Sequence, residues 1–301
     1  VIPQELPPVF RRNVLGAFAN GASWLDSLPE VIAACEHHWH IVVGAPFDLS
    51  YSYVAPARTA RGEGFVLKVC AGGPEFTTEI EALQAWSGGA AVRLMDFSVD
   101  LGVLLLEGLT PGRTLALIDN DEAATRIAAQ LMRELCRPLP LNASFSTTAQ
   151  WADGLRRLRA RFDGGTGPFP RALVETAEWF FRELLSSSEP PVLLHGDLHH
   201  RNILSAGRRP WLAIDPKGLA GEPAYEVGAL LRNPDVRLST DERVQRRRID
   251  ILHDELALDR DRMVGWGIAQ AMLSAWWSYE DSEGGWKSAC ACAEVLMRLT
   301  K

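Results

Sequence analysis

The pattern of hydrophobic and polar positions changes character once along this chain, near Glu107. Before that point, short apolar runs between breakers read as strands. Ile41-Val42-Val43 is β-branched and stops at Gly44-Ala45-Pro46, and Tyr51-Ser52-Tyr53-Val54 alternates as a half-buried strand does. The polar stretch 56–64 reads as a hairpin connection, and Phe65-Val66-Leu67-Lys68-Val69 as the strand after it. Residues 75–86 read as a helix, because Phe76, Ile80, Leu83 and Trp86 recur at near-helical spacing. Val92-Arg93-Leu94-Met95 and Val103-Leu104-Leu105-Leu106 supply two more strands. The pattern predicts a small, mostly antiparallel sheet with one helix over residues 39–107.

After the break at Glu107-Gly108-Leu109-Thr110-Pro111-Gly112 the spacing turns helical, over 125–137, 151–162, 171–186, 261–280 and 285–299. Ser239 with Glu242 three residues on reads as a capping box ahead of a further helix. The exception is 191–216, where Val192-Leu193-Leu194 and Trp211-Leu212-Ala213-Ile214 flank a polar loop. The expected organisation is α+β: a sheet-rich part, 1–107, and a mainly helical part, 108–301, that carries the loop.

Composition narrows the class. The 301 residues are 47% hydrophobic and 23% charged, which excludes a disordered chain and a disulfide-dense miniprotein. A net charge of −7 argues against nucleic acid as partner and suits a cationic ligand, simple solubility being the plainer reading of the charge alone. No apolar run is long enough to span a bilayer, and the first thirty residues lack a basic start followed by an apolar stretch, so neither membrane nor secretory signal is expected. The five cysteines have no zinc spacing and read as reduced thiols of a cytoplasmic protein.

Candidate chemistry lies in the embedded loop, His195-Gly196-Asp197-Leu198-His199-His200-Arg201-Asn202. Asp197 and Asn202 have the D-x-x-x-x-N spacing of a kinase catalytic loop, and Asp215 follows the second apolar run, ahead of Gly218. Phosphoryl transfer needs these groups: one carboxylate to take the proton of the attacking hydroxyl, and a carboxylate with an amide oxygen to hold Mg²⁺.

With these residues in view, H-G-D-L-H-x-x-N-I and I-D-P-x-G resemble the aminoglycoside phosphotransferases. The Ile214-to-Pro223 run and Leu231-Arg232-Asn233-Pro234 most resemble their streptomycin and hydroxyurea phosphotransferase branch. The resemblance implies a two-lobed, protein-kinase-like fold with MgATP in the cleft. It implies Asp197 as catalytic base, Asn202 and Asp215 as metal ligands, and Lys68 of Val66-Leu67-Lys68-Val69 on the α- and β-phosphates. Glu81 is its expected helix partner, with Glu79 second. The backbone of Glu107 to Leu109 is expected at the adenine. Phe47-Asp48-Leu49-Ser50-Tyr51-Ser52 stands where protein kinases have a glycine-rich loop, so Ser50 and Ser52 are the phosphate contacts expected there. Pro216-Lys217 replaces the Phe of D-F-G, and no activation segment of protein-kinase length is evident, which argues for a small-molecule acceptor.

Several residues carry bland readings beside the sharp ones. His195 reads as structural, bonding loop backbone, and Glu226 as a partner of the loop. His199 and His200 read as loop residues. Lys217 fits a solvated lysine and a substrate contact equally. Trp86, Trp151, Trp179 and Trp266 read as core. Trp277, beside Glu280-Asp281-x-Glu283, and Glu222 are candidate contacts for a cationic acceptor, a capped helix end being the plainer reading of the acids. The expected activity is ATP-dependent phosphorylation of a hydroxyl on a small molecule, an aminoglycoside such as streptomycin, by a monomer or weak homodimer. Alternatives are a kinase of hydroxyurea or another metabolite, a metal-dependent hydrolase built on the H-x-D-x-H-H cluster, and a nucleotide-binding module without catalysis.

Overall fold

A computed structural model describes residues 6–141, 143–282 and 285–300. The chain folds as two compact units, Val1–Pro111 and Gly112–Lys301.

The first unit opens with two helices, α1 (Pro8–Ala17) and α2 (Gly21–Trp39), followed by β1 (Ile41–Val43), β2 (Tyr53–Thr59), β3 (Gly64–Val69), α3 (Pro74–Trp86), β4 (Leu94–Ser98) and β5 (Val103–Glu107). The strands form one sheet in the order β1-β2-β3-β5-β4, every neighbour antiparallel. Strand alternation sorts its two faces. Tyr53, Ala55, Ala57, Leu67, Val69, Val103 and Leu105 bury against Phe10 and Val14 of α1 and against Trp24, Leu28, Ile32 and Cys35 of α2. Lys68, between Leu67 and Val69, takes the opposite face, where α3 meets it.

Three expectations in this unit need correction. The strand expected from Tyr51 starts at Tyr53, which leaves Tyr51 and Ser52 in the preceding loop. The hairpin connection is shorter than 56–64, because Pro56 to Thr59 pair with β3 and leave only 60–63 as the turn. The strand expected from Val92 starts at Leu94, with a register shift between Leu94 and Asp96. A bulge of this kind displaces one residue from the ladder, and Met95 is correspondingly exposed.

The second unit runs β6 (Pro111–Thr114), α4 (Asp121–Leu135), β7 (Arg137–Pro138), β8 (Ser146–Thr147), α5 (Thr148–Arg161), α6 (Arg171–Ser186), β9 (Val192–Leu194), β10 (Ile203–Ala206), β11 (Trp211–Ala213) and β12 (Leu219–Gly221). It continues with α7 (Val227–Leu231), α8 (Val236–Ser239), α9 (Glu242–Leu256), α10 (Arg260–Ser282) and α11 (Trp286–Met297). Its core is built on α10, whose Met263, Val264, Trp266, Ile268, Ala269, Met272, Leu273 and Trp276 are all buried. A helix apolar around so much of its circumference belongs inside a bundle. Small sheets, β11-β10-β6 and β7-β9-β12-β8, brace the polar loop. Among the described residues no helix is long and apolar enough to cross a membrane.

The capping box expected at Ser239 and Glu242 does not form. Ser239 ends α8, and Asp241 caps α9 instead, accepting from the N–H groups of Arg243 and Val244 at 2.8 and 3.2 Å. A capping box is found at α5, between Thr147 and Gln150. Trp179, expected in the core, is exposed on α6 and lies edge-on to Phe180.

Candidate active site

In the first unit the feature with chemical potential is a buried ion pair. Lys68 Nζ lies 2.6 Å from Glu79 Oε2 and 2.7 Å from Oε1, and the two residues are 8% and 4% exposed. The partner is therefore Glu79 and not Glu81. Residues 79 and 81 are two apart, which on an α-helix turns them to nearly opposite sides. Glu79 falls in the same stripe as Phe76, Leu83 and Trp86, the side that α3 buries. That spacing was the signal available in the sequence.

Elsewhere in this unit, Ser50 and Ser52 sit in the loop between β1 and β2. Ser50 O accepts from Asn13 Nδ2, and Ser52 Oγ faces Cys70 Sγ at 3.7 Å. Glu107 ends β5, with its N–H donating to Arg93 O at 2.9 Å and its Oε2 accepting from Arg93 N at 3.1 Å. Gly108 N–H donates to Gly64 O at 3.2 Å. The N–H of Leu109 is not among the donors these contacts use.

In the second unit the loop leaves β9 at Leu194 and is held from below by Glu226. This carboxylate accepts from the backbone N–H of His195 at 2.7 Å, of Gly196 at 3.1 Å and of Leu198 at 3.4 Å. Three backbone bonds to one buried carboxyl fix most of the turn. Burial pushes the Glu226 carboxyl up to about 7, against the pull of these three donors. Gly196 has φ 84°, and a Cβ there would come within 3.3 Å of the Trp151 ring. Both facts call for glycine.

His195 is structural, as its sequence reading has it. Its Nδ1 accepts from Asp197 N–H at 3.3 Å, which places the proton on Nε2, bonded to Ile214 O at 2.9 Å. Burial takes its pKa down to about 4, against the favourable fields of Asp197 and Asp215, so the ring is neutral at pH 7. Two further bonds, Ile214 N–H to Asn202 O at 2.9 Å and Lys217 N–H to His195 O at 2.8 Å, clamp the segment around Asp215 to the loop. Asp215 itself has φ 57°, a left-handed value unusual for a residue with a Cβ. Asp197, Asn202 and Asp215 are thus brought to one place.

Asn202 Nδ2 donates to Asp197 O at 3.0 Å and faces Asp197 Oδ2 at 3.4 Å, so its Oδ1 is the end left to act as an oxygen donor. On the other carboxylate oxygen, Asp197 Oδ1 lies 3.4 Å from Arg232 Nη2. His199 Nε2 stands 3.5 Å from Asp197 Oδ2 while its Nδ1 accepts from Arg201 N–H. Burial lowers the His199 pKa, and the nearby Asp197 and Asp215 oppose that shift. Two of the three histidines of the H-x-D-x-H-H cluster therefore spend ring nitrogens on their own loop, which removes the basis for a histidine-ligated hydrolase centre. Asn202 Oδ1 and the Asp215 carboxylate are hard oxygen donors on segments that the bond from Ile214 N–H to Asn202 O ties together. This fits Mg²⁺, which takes few protein ligands and completes its shell with phosphate oxygens and water.

The expected acceptor contacts fare less well. Glu222 is 7% exposed, and Arg262 grips both of its oxygens, Nε at 2.6 Å from Oε1. It forms an internal ion pair. Glu280 is bound by both arms of Arg157 at 3.1 Å, so its charge is already answered. Asp281 is exposed near the end of α10, and Glu283 lies outside the described residues. Trp277 packs edge-on against Trp151 with ring centroids 5.2 Å apart, one ring removed from Gly196. Arg232 is the site residue that went unassigned in the sequence; only its place in the Leu231-Arg232-Asn233-Pro234 run singled it out.

The antiparallel sheet with its buried Lys–Glu pair, and the helical unit with its Asp–Asn–Asp loop, define a phosphotransferase of the protein-kinase-like fold. A family profile described as "Aminoglycoside/hydroxyurea antibiotic resistance kinase" matches residues 38–282. A streptomycin 6-kinase of Streptomyces glaucescens is 32% identical over 98% of this chain and 97% of its own. A hydroxyurea phosphotransferase of Kitasatospora aureofaciens is 33% identical over 98% of this chain and 86% of its own. Among solved structures, a thermostable mutant of aminoglycoside phosphotransferase APH(4)-Ia, in a ternary complex with ADP and hygromycin B, shares the fold. Its TM-score is 0.62 at 15% identity, over 90% of this chain and 98% of that one. The chain belongs to the aminoglycoside/hydroxyurea antibiotic resistance kinase family.

Proposed function

We propose that this protein transfers the γ-phosphoryl group of ATP to a hydroxyl of streptomycin or a close aminocyclitol relative. The observation that carries the reading is the loop itself. Asp197, Asn202 and Asp215 are held together by Glu226 and by backbone bonds on either side of Asp215. Asp197 accepts the proton of the attacking hydroxyl, a role worth about 10²–10⁴ in rate. The hydroxyl oxygen bonds to the γ-phosphorus as the bond from phosphorus to the β–γ bridging oxygen breaks, and ADP departs. Lys68, fixed by Glu79, binds the α- and β-phosphates. Leu109 N–H serves the adenine, since the donors of Glu107 and Gly108 are engaged within their own unit. Asn202 and Asp215 hold Mg²⁺, which when bound offsets charge on the phosphate oxygens. Trp151 and Trp277 offer an aromatic wall beside the loop for the acceptor ring. ATP use suits the cytoplasm.

Streptomycin is favoured because the streptomycin 6-kinase relative matches nearly end to end. Hydroxyurea is the second reading. It draws on the hydroxyurea phosphotransferase relative and on the engagement of Glu222 and Glu280 by arginines, which leaves fewer carboxylates for a polycation. A coupled ADP-release assay with streptomycin, other aminocyclitols and hydroxyurea decides. Streptomycin-dependent turnover, with one phosphoryl group added by mass, is expected. Turnover with none of these acceptors would overturn the reading.

A further inference from the structure

We propose that Arg232 is a positioning residue for phosphoryl transfer, its guanidinium steadying the Asp197 carboxylate from an anchor on Gln270. The proposal rests on the reading of Asp197 as the base.

Arg232 caps the C-terminal end of α7 and reaches back to the loop, where Nη2 lies 3.4 Å from Asp197 Oδ1. Its other arm, Nη1, donates to Gln270 Oε1. Gln270 is itself buried in α10 and donates from Nε2 to Tyr225 O at 3.3 Å. The chain makes room for this anchor at Gly228, where a Cβ would come within 2.5 Å of Gln270 Oε1. The Arg232 and Asp197 side chains are 13% and 26% exposed. A flexible surface arginine would lose rotamer freedom to hold one carboxylate. Here Gln270 has already fixed the guanidinium, so its planar fork spans anchor and base at little further entropic cost. With Oδ1 beside Arg232 and Oδ2 beside Asn202 and His199, both carboxylate oxygens have a neighbour that favours one orientation. A base must present a lone pair to the acceptor hydroxyl, and small misplacements near the chemistry are costly in rate.

The test is a double-mutant cycle on the full-length protein with saturating ATP and acceptor. Arg232→Gln is expected to lower kcat by about 10- to 100-fold with both KM values little changed. Arg232→Lys keeps the charge but not the fork, and its kcat is expected between the two. In the Asp197→Asn background, Arg232→Gln is expected to cost nothing further, because a group that acts through Asp197 has nothing left to position. A merely structural arginine would lower the rate by the same factor in both backgrounds, and that result overturns the proposal. Parental kcat in Arg232→Gln overturns it as well. If Arg232→Gln does not fold, parental kcat in Arg232→Lys overturns it. A parental rate in Asp197→Asn alone overturns the reading of the base, and this proposal with it.

Discussion

Lys68 Nζ and the Glu79 carboxylate meet at 2.6 Å, both almost out of reach of water. Breaking such a pair strands a buried charge, at a cost of about 3–5 kcal/mol. Glu79→Ala is therefore expected to lower the melting temperature and to weaken nucleotide turnover together. Glu81→Ala, on the far side of α3, is expected to change turnover less than about twofold, in the range of ordinary surface substitutions. Thermal melting and steady-state kinetics of the two variants, side by side, check the assignment.

Asp197→Asn keeps the shape of the proposed base and removes its capacity to take a proton. Its kcat is expected to fall by about 10²–10⁴ while nucleotide affinity is retained. Isothermal titration with a non-hydrolysable ATP analogue, together with the turnover assay, separates the two effects.

Glu226→Ala leaves the buried N–H groups of His195, Gly196 and Leu198 without their acceptor. Each unsatisfied donor costs about 1–3 kcal/mol, so the loop is expected to open before the rest of the unit. Hydrogen exchange at residues 195–202 should rise sharply in this variant. Unchanged protection there would contradict the role given to Glu226.

Stability should fall on acidification. Burial presses His195 down to about 4 and His200 to about 3, from 6.5, so unfolded imidazoles bind more protons than folded ones below that value. Asp121 acts the same way at lower pH. Burial works against its charge, but Arg248 and Arg247 prevail and hold its pKa below 3.8, so its contribution is lost as pH falls through the folded value. Glu226 has the opposite sign. Raised from 4.5 to about 7, it stabilises most below 4.5 and loses that contribution as pH rises through 7. Two imidazoles outweigh one carboxyl, and melting temperature should drop as pH goes from about 6.5 towards 4. A flat melting profile over that interval would be the contrary result, and His195→Gln should reduce the slope.

Glu280→Ala is expected to leave the acceptor KM within about twofold, because Arg157 already answers that carboxylate and exposed pairs contribute little. A large rise in acceptor KM alone would restore Glu280 to the acceptor site. Trp277→Ala should raise the acceptor KM more than Glu280→Ala does, since it removes one face of the pair with Trp151.

The sequence alone was enough to place the elements that carry the two candidate motifs. Alternation around Lys68, helical spacing from Phe76 to Trp86 and the two apolar runs flanking His195 to Asn202 are local patterns, and local patterns survive without a fold. The D-x-x-x-x-N spacing and the structural role of His195 were legible for the same reason, since their partners lie close in the chain or in a flanking strand. Helices α1 and α2 were not assigned, although Trp24, Leu28, Ile32 and Cys35 hold helical spacing, because nothing in the sequence said which surface they would cover. Only tertiary structure decided three charge pairs: Glu222 with Arg262, Glu280 with Arg157, Asp197 with Arg232. Each depends on which side chains two distant segments bring within a few ångströms. Charged residues look alike in sequence whether they are solvated, paired or waiting for a substrate, and burial with a fixed partner is what separates them.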